Sequence, residues 1–282
     1  MHYEERMNRA VDFIGQHLDE VLTLQQLSDA AYLSKYHFHR LFTVYTGVPV
    51  AQYIRWLRLK RAAHQLCVNR SDSVMTIALN AGFESHEAFS RAFKQMCGAS
   101  PASFRLTPHW DAWKKPTASS NNTGEIKVDV TLKEWPARRL AAIEHRGDPQ
   151  QLGASVGKLI TWAKAQPMNL RPKPGEAFGF GYHDPKTVSA EDFRFDLAIS
   201  IPEDFKLAGE IIEKRLPSGR YAVVVHIGSR RTIGDTIYGL YRDWLPNSGE
   251  ELEDFPCVFR YHNFDHEVAE TELRTEIGCL LT

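Results

Sequence analysis

Residues 76–98 read TIALNAGFESHEAFSRAFKQMCG, and a related pattern occurs 51 residues earlier in the chain. Tyr32 matches Phe83 at that offset, and the identical pairs are Ala30/Ala81, Ser34/Ser85, Phe38/Phe89, Arg40/Arg91, Phe42/Phe93 and Gly47/Gly98. Each copy predicts a short apolar helix, a tight turn through Ala31 or Gly82, a serine suited to a helix N-cap, and a second helix. The sequence therefore predicts two helix-turn-helix units.

Each second helix has an apolar side and a polar side. The residues predicted to be buried are Phe38, Leu41, Phe42 and Tyr45 in the first unit and Phe89, Ala92, Phe93 and Met96 in the second. The opposite faces are predicted to carry Tyr36, His39, Arg40 and Thr43 in the first unit and Glu87, Ser90, Arg91 and Lys94 in the second. Residues 52–68 predict a longer basic helix that spaces the two units.

Charge is distributed unevenly along this chain of 282 residues, whose net charge is -1. The segment 34–115 has 12 Lys and Arg against 4 Asp and Glu, and the remainder has 22 against 31. A basic segment is a candidate surface for a polyanion, because neutralising phosphates releases counterions. Double-stranded DNA is therefore the expected partner.

Composition excludes several other classes of protein. The length suits two domains. No apolar run approaches the roughly 20 residues of a membrane-spanning helix, and the first residues lack a signal-peptide pattern, so we expect a cytoplasmic protein with no membrane partner. The cysteines are scattered singly and are predicted to be reduced thiols, with a redox or metal sensor as the alternative. His37 and His39 lie two apart on a helix and point to different faces, so we do not expect them to chelate a metal ion together. No metal site and no cofactor are expected.

A second duplication follows a small, polar stretch at 116–124, which predicts a linker over 111–124. At an offset of 81 the repeated pairs are Arg139/Arg220, Ala141/Ala222, His145/His226, Gly147/Gly228, Gly153/Gly234 and Leu159/Leu240. Further on, and not at that offset, Tyr182-His183-Asp184 is echoed by Tyr261-His262-Asn263. Each half predicts a strand, a helix ending near Trp162 or Trp244, and two more strands. The predicted fold is multidomain: an all-α double helix-turn-helix domain over 1–110, then an α+β domain of two β-α-β-β repeats over 125–282.

The N-terminal motifs resemble the AraC/XylS family signature. The resemblance rests on the doubled S-x-x-x-F-x-R-x-F, on the turn Ala81-Gly82-Phe83, and on the ending 98–105, GASPASFR. It covers about 105 residues and implies seven helices, with two recognition helices entering successive segments of the major groove on one DNA face.

The same resemblance, with side-chain chemistry, assigns DNA contacts. Arg40 and Arg91 are suited to guanine O6 and N7, a contact worth about 1–3 kcal/mol of discrimination. The other expected base contacts are Tyr36, His39, His86, Glu87 and Ser90. Phosphate contacts, which position the protein without specifying sequence, are expected from Lys35, Lys94, Arg55 and Lys60. The alternative for each is an exposed helix residue that meets solvent or phosphate only.

The C-terminal half resembles the GyrI-like effector-binding domain. The residues that carry this resemblance are at 219–222 (GRYA), 225–228 (VHIG), 241–246 (YRDWLP) and 272–277 (ELRTEI). The order of the two parts is that of the Rob-type regulators, which implies sensing of hydrophobic, often cationic, amphiphiles in a multidrug or stress response. The resemblance also implies an aromatic-lined groove with a central glutamate as counter-charge. The family's acidic position falls on Phe259, which removes the strongest attraction for a cation, although aromatic faces can still hold one. A neutral or anionic ligand, or none, is therefore expected.

Aromatic residues are the expected lining of the ligand groove, and a hydrophobic core is the alternative for each. The candidates are Trp162, Phe178, Phe180, Tyr182, Tyr221, Tyr241, Trp244 and Phe259. Tyr182 and Phe259, taken as equivalent in the two halves, are the preferred pair.

The sequence thus predicts a sequence-specific DNA-binding transcription regulator that is not an enzyme, with RNA polymerase and a small-molecule effector as further partners. Two other hypotheses stay open for the C-terminal domain. The first is that it is a vestigial hydrolase, and the replacement of the acidic residue by Phe259 argues against catalysis. The second is that it is a protein-interaction module.

Overall fold

The computed structural model describes residues 3–69, 71–113, 128–166, 170, 173 and 175–282. The chain forms two compact units, one of Met1–Leu33 with Phe42–Asn121 and the other of Ser34–Leu41 with Asn122–Thr282. Apart from residues 111–113, the linker predicted over 111–124 lies outside the described residues.

The N-terminal part is helical, as predicted. Within the described residues up to 113, the α-helices are α1 (Tyr3–Gln16), α2 (Leu24–Ala30), α3 (Lys35–Thr46), α4 (Val50–Val68), α5 (Val74–Asn80), α6 (His86–Cys97) and α7 (Pro101–Leu106). Their number agrees with the seven that the AraC/XylS resemblance implies. A core formed by α4 to α7 includes Phe89, Phe93 and Phe104, and burying each such ring contributes about 1.5–3 kcal/mol.

Hydroxyl side chains begin most of these helices. Thr23 forms a capping box with Gln26 at α2, Ser73 caps α5, and the Ser85 hydroxyl accepts a hydrogen bond of 3.1 Å from the Ala88 amide at α6. The hydroxyl of Ser34 is buried without a hydrogen-bond partner. The N-cap prediction is therefore confirmed for Ser85 and wrong for the side chain of Ser34.

The turns show that the two helix-turn-helix units are related by two offsets. Tyr32 has φ 51° and Gly82 has φ 79°, so these two residues occupy the same left-handed position after α2 and α5. The offset is 50 through the turn and becomes 51 at α3 and α6, because Glu84 is an extra residue in the second unit. The sequence pairs Ala30/Ala81 and Tyr32/Phe83 are wrong by one residue, and Ala31 is the counterpart of Ala81.

The second unit contains an antiparallel sheet of eight described strands. These are β1 (Val130–Trp135), β2 (Arg138–Arg146), β3 (Ala177–Gly181), β4 (Arg194–Ser200), β5 (Ile212–Leu216), β6 (Gly219–Ile227), β7 (Cys257–Tyr261) and β8 (Arg274–Leu280). The strand order is β1-β6-β8-β7-β3-β4-β2-β5. Helix α8 (Leu152–Ala165) follows β2, and α9 (Ile233–Gly239) follows β6, with a π-helical turn at Leu240–Trp244 and α10 (Leu245–Ser248) after it.

Two β-α-β-β repeats are confirmed, and each has one more strand than predicted. Strand β1 precedes the first repeat yet pairs with β6, while β5 precedes the second repeat and pairs with β2. The centre of the duplication is the pair Gly179 and Phe259, where β3 meets β7. The β3–β7 pairing joins the two repeats into one sheet, and each exchanged edge strand adds a further link between them.

The repeated histidines have a structural role. His145 Nδ1 lies 2.9 Å from the Ser155 hydroxyl on α8, and His226 Nδ1 lies 2.8 Å from the Thr236 hydroxyl on α9. Each imidazole therefore ties the first strand of its repeat to the following helix. Among the described residues, no helix combines the length and apolar character needed to cross a membrane.

Candidate DNA-binding helices and candidate ligand pocket

Helix α6 presents a polar face to solvent, as predicted. Phe89, Ala92 and Phe93 are buried. On the other side, His86, Glu87, Arg91 and Lys94 are exposed and Ser90 is half-buried. Met96, predicted to be buried, is only partly so. Because residues spaced by three and four share a helix face, Glu87, Ser90, Arg91 and Lys94 form one continuous polar stripe.

Helix α3 differs from α6. Its first half, Ser34–Leu41, groups with the second unit, where His39 is 4% exposed and Arg40 3% exposed. The guanidinium of Arg40 donates a hydrogen bond of 3.0 Å to the carbonyl of Tyr36. The prediction that His39 and Arg40 lie on an open face is therefore wrong for this structure, because periodicity along one helix does not reveal what packs against its polar side.

Tyr45 shows the opposite difference. It was predicted to be buried with Phe38, Leu41 and Phe42, and those three are buried. Tyr45 is 39% exposed, and its hydroxyl donates to the side-chain oxygen of Asn8 on α1. A phenol at the margin of a core can keep its hydroxyl at the surface, which explains the difference.

The buried groups of α3 have altered acidity. Burial, together with the charge of Arg40, holds the pKa of His39 well below its ordinary value, so His39 is neutral at pH 7. Burial also opposes the charge of Arg40, but the neighbouring acidic groups of Cys257 and Tyr241 outweigh burial and raise the pKa of Arg40. Arg40 remains a buried cation.

The predicted phosphate contacts lie on several helices. Lys35, Arg55 and Lys94 are exposed, while Lys60 is half-buried. Lys35 Nζ lies 5.3 Å from the ring centroid of half-buried Tyr36, and the guanidinium of Arg55 lies 5.3 Å from that of Phe83. These cations lie against aromatic rings of their own units and keep exposed charge.

A cavity of about 740 Å³ lies beside α8 in the second unit. Its wall is formed by one side of α8, by β3 and β4, and by the chain around Tyr261 and Phe264. The lining residues are Leu152, Gly153, Val156, Leu159, Ile160, Ala163, Lys164, Leu170, Ala177, Phe178, Leu197, Ala198, Ile199, Arg230, Tyr261, Phe264, Asp265, His266 and Glu267. The volume suits a drug-sized apolar molecule.

The charged groups of this cavity are largely engaged within the protein. Arg230 Nη1 donates to both carboxylate oxygens of Asp265, at 2.9 and 2.8 Å, and its guanidinium lies 5.1 Å from the Tyr261 ring centroid. Glu267 accepts a hydrogen bond of 3.0 Å from the Phe264 amide. Both carboxylates of the wall therefore already accept hydrogen bonds, and Lys164 contributes an exposed positive charge.

The structure places most of the predicted aromatic lining elsewhere. Of the eight candidates, Phe178 lines the cavity. Phe180, Tyr182 and Tyr221 belong to a core cluster that also contains Trp135, and Tyr241 is fully buried. Trp162, Trp244 and Phe259 are absent from the cavity wall. Phe180, Tyr182, Tyr221, Tyr241 and Phe259 are buried in hydrophobic interiors, which was the alternative interpretation, whereas Trp162 and Trp244 are half-buried.

The preferred pair, Tyr182 and Phe259, is wrong as a pair. Strand register places Phe259 opposite Gly179, with its ring 5.3 Å from that of Phe195. The Tyr182 hydroxyl donates a hydrogen bond of 2.7 Å to Asp196, whose side chain lies on the other face of the sheet from Phe195. Phe259 is the counterpart of Gly179, three residues before Tyr182, and an odd error of offset in a strand exchanges the faces.

The residues that sequence reasoning missed are aliphatic. Leu152, Val156, Leu159, Ile160 and Ala163 lie along one side of α8, and all line the cavity. Val156 is 37% exposed and Ile160 is 45% exposed. The sequence did contain a signal for these residues. Apolar residues at i, i+4, i+7 and i+8 form a stripe along α8 that is wider than packing against the sheet alone requires. Among the described residues, no group of three His, Cys, Asp or Glu is arranged to hold a metal ion.

Comparison with known proteins agrees with these two parts. A family model described as a GyrI-like small molecule binding domain matches residues 129–279, and one described as a helix-turn-helix domain matches 27–107. The probable transcriptional regulator YgiV of Escherichia coli K12 is 35% identical over 156 residues, which cover 54% of this chain and 95% of YgiV.

Two further similarities concern one part each. The right origin-binding protein of Escherichia coli K12 is 34% identical over 122 residues, which cover 43% of this chain and 42% of that protein. A crystal structure of a hydrolase from Listeria innocua is 10% identical with a TM-score of 0.42, and it covers 55% of this chain and 92% of that chain. Since the matched domain model covers more than half of the residues, the chain belongs to the GyrI-like small molecule binding domain family, with an AraC-type helix-turn-helix DNA-binding domain preceding that domain.

Proposed function

We propose that this transcription regulator reads its DNA site chiefly through α6, and that it senses an apolar, uncharged or anionic small molecule in the cavity beside α8. The polar stripe of α6 carries the first part of the proposal. Arg91 is exposed at the middle of that stripe, while Phe89 and Phe93 fix the helix from the opposite side. A rigid helix with an exposed arginine is suited to a guanine in the major groove.

Arg91 and Lys94 provide a matched test of this assignment. Binding is measured by fluorescence anisotropy at fixed salt, on a DNA site obtained by selection from random fragments. Arg91→Ala is expected to weaken specific binding by about 1–3 kcal/mol, or about 5- to 150-fold, and to relax the preference at one base pair. Lys94→Ala is expected to weaken binding to all sequences alike and to lower the salt dependence. Unchanged sequence preference with Arg91→Ala would refute the assignment.

Arg40 and His39 form the second part of the proposed DNA interface. Both are buried, so Arg40 reaches a base only when Ser34–Leu41 leaves the interior in which it lies. We therefore assign to α6 the DNA contacts made by side chains that are exposed in this structure. The DNA contacts assigned to α3 require Ser34–Leu41 to move first. In a DNA complex in which most molecules keep Ser34–Leu41 buried, Arg40→Ala is expected to weaken specific binding less than Arg91→Ala.

The cavity supports an apolar ligand without a positive charge. Asp265 is paired with the cation of Arg230, which balances its charge, and Glu267 is exposed to solvent, which screens its charge. The wall otherwise consists mainly of aliphatic and aromatic side chains, whose contacts favour any apolar molecule of suitable size.

Three probes of similar size test the ligand class on the full chain: neutral N-phenyl-1-naphthylamine, anionic anilinonaphthalene sulfonate and cationic tetraphenylphosphonium. We expect the first two to bind and to raise the melting temperature by linkage. Ile160→Glu, in the wall, is expected to abolish this shift, whereas Ala154→Glu, an exposed position of α8 outside the wall, is expected to preserve it. Preferred binding of the cation would refute the proposed class.

The proposal includes two further points. RNA polymerase is the expected partner, because a transcription regulator acts on the initiation of transcription. The C-terminal domain is proposed to bind rather than to catalyse, since the cavity wall is mainly apolar and its two carboxylates are held by Arg230 and by the Phe264 amide. Turnover of any bound probe by the purified protein would contradict this point.

A further inference from the structure

Cys257 and Cys279 face each other across two antiparallel strands. The register pairs Val258 with Gly278, which places Cys257 directly opposite Cys279. Both thiols are fully buried, and their Sγ atoms lie 3.3 Å apart. Cα atoms of directly opposite residues are about 4.5 or 5.5 Å apart, and a disulfide spans Cα separations of about 4.4–6.8 Å. The backbone is therefore already suited to an S–S bond.

A hydrogen-bond chain leads away from this pair. Tyr241 Oη lies 3.2 Å from Cys257 Sγ and 2.6 Å from His37 Nδ1, and His37 Nε2 lies 3.1 Å from the carbonyl oxygen of Glu253. A carbonyl can only accept, so Nε2 of His37 carries the hydrogen and Nδ1 accepts from the Tyr241 hydroxyl. The hydroxyl oxygen is then available to accept the Cys257 proton, which has a path to His37.

The two thiols are electrostatically different. The Cys279 thiol donates to Cys257 and, with the charge of Arg40, holds the pKa of Cys257 well below its ordinary value against the effect of burial. The same interaction, together with burial, raises the pKa of Cys279. Cys257 is therefore the better nucleophile, since the thiolate is the reactive form.

We propose that Cys257 and Cys279 form a redox-active dithiol that hydrogen peroxide converts to a disulfide. The Cys257 thiolate attacks one peroxide oxygen, the O–O bond breaks, and hydroxide leaves and takes up a proton to give water and a sulfenic acid. Cys279 sulfur then attacks Cys257 sulfur, the S–O bond breaks, and a second water leaves. Two thiols lose two electrons and peroxide gains them. The sulfurs move together by about 1.3 Å to reach the usual bond length of about 2.0 Å.

Peroxide is small and uncharged, so its entry between the strands does not require burial of a charge. The disulfide sulfur has neither a hydrogen to donate nor the negative charge of the Cys257 thiolate, so its interaction with the Tyr241 hydroxyl weakens. His37, at the other end of the hydrogen-bond chain, belongs to α3. Oxidation therefore changes the hydrogen bonding next to α3, the helix to which predicted DNA contacts are assigned.

Peptide mapping of the folded, full-length protein tests the proposal. The protein is treated with hydrogen peroxide, blocked with N-ethylmaleimide in denaturant, and digested with trypsin without reduction. Residues 243–260 and 275–282 form two tryptic peptides with one cysteine each. We expect them to be joined, with the loss of two hydrogen atoms, after peroxide but not before, and to separate on reduction. Cys97, buried with its thiol on the carbonyl of Ala99, is the internal control and should stay alkylated.

Absence of the joined peptide at a peroxide dose that oxidises methionine, or equal oxidation of Cys97, would overturn the proposal. The attacking sulfur is tested separately with dimedone, which traps sulfenic acids. Cys279→Ser should accumulate the adduct on Cys257, whereas Cys257→Ser should give none on Cys279. The reverse pattern would contradict the assignment of Cys257. If either variant fails to fold by circular dichroism, the wild-type map still decides whether the disulfide forms.

Discussion

The second unit contains a duplicated buried acid, and replacing each copy tests how burial controls the contribution of a charge. Asp196 on β4 and Glu276 on β8 occupy equivalent positions, 80 residues apart. The Asp196 side chain is 0% exposed and is paired with Lys214, which is 16% exposed, and with Arg194. The Tyr182 hydroxyl donates to the same carboxylate oxygen.

Asp196→Asn removes the negative charge without removing volume. The ammonium of Lys214 then faces an amide instead of a carboxylate in a nearly water-free setting. Breaking a buried ion pair by neutralising one partner costs about 3–5 kcal/mol. We therefore expect the free energy of unfolding to fall by about 3–5 kcal/mol with Asp196→Asn.

Glu276→Gln is the matched variant. Glu276 is 5% exposed, but Lys133 is 39% exposed and Arg260 26% exposed, so water can solvate both cations after the change. The expected cost is smaller, about 1–3 kcal/mol. Glu203→Gln, in the exposed pair with Arg215, is the control and should cost less than about 1 kcal/mol.

Urea titration at pH 7, followed by far-ultraviolet circular dichroism, measures the three costs. Each variant is compared with the wild type. An unchanged slope of the unfolding free energy against urea concentration shows that the same transition is being measured. The reasoning is refuted if Asp196→Asn costs no more than Glu203→Gln, or if Glu276→Gln costs more than Asp196→Asn.

Three other predictions concern packing, helix ends and pH. Gly179→Ala should destabilise by about 1–3 kcal/mol, because a Cβ there would lie 2.5 Å from a ring atom of Phe195; thermal unfolding measures this, and no loss would contradict it. Ser85→Ala should cost about 1 kcal/mol, whereas Ser34→Ala should cost nearly nothing because that hydroxyl has no partner; equal costs in urea titration would contradict the assigned caps. Burial raises the pKa of Glu276, but hydrogen bonds from Lys133 and His262 outweigh burial and leave that pKa below its ordinary value. This carboxylate therefore stabilises the fold above about pH 4.5, and the stabilisation is lost as pH falls through the lower folded pKa. Stability measured from pH 6 to 3 should show this loss in the wild type and not in Glu276→Gln.

Much of the fold followed from local patterns. The doubled motif around Ser34 and Ser85 predicted both helix-turn-helix units, and the repeat of Arg139 at Arg220 predicted the two β-α-β-β halves. Helical periodicity and turn chemistry are properties of neighbouring residues, so one sequence is enough to reveal them. Strands β1 and β5 were missed because each is a short edge strand whose partner belongs to the other repeat.

The sequence by itself determined the two domain types, the order in which they occur, and the polar stripe of α6 with Arg91. Tertiary structure alone decided that Arg40 is buried while Arg91 is exposed, that the cavity is lined by aliphatic residues of α8, and that Cys257 lies opposite Cys279. The physical reason is that a side chain's surroundings depend on contacts between residues far apart in the chain. Neither residue type nor local spacing records these contacts.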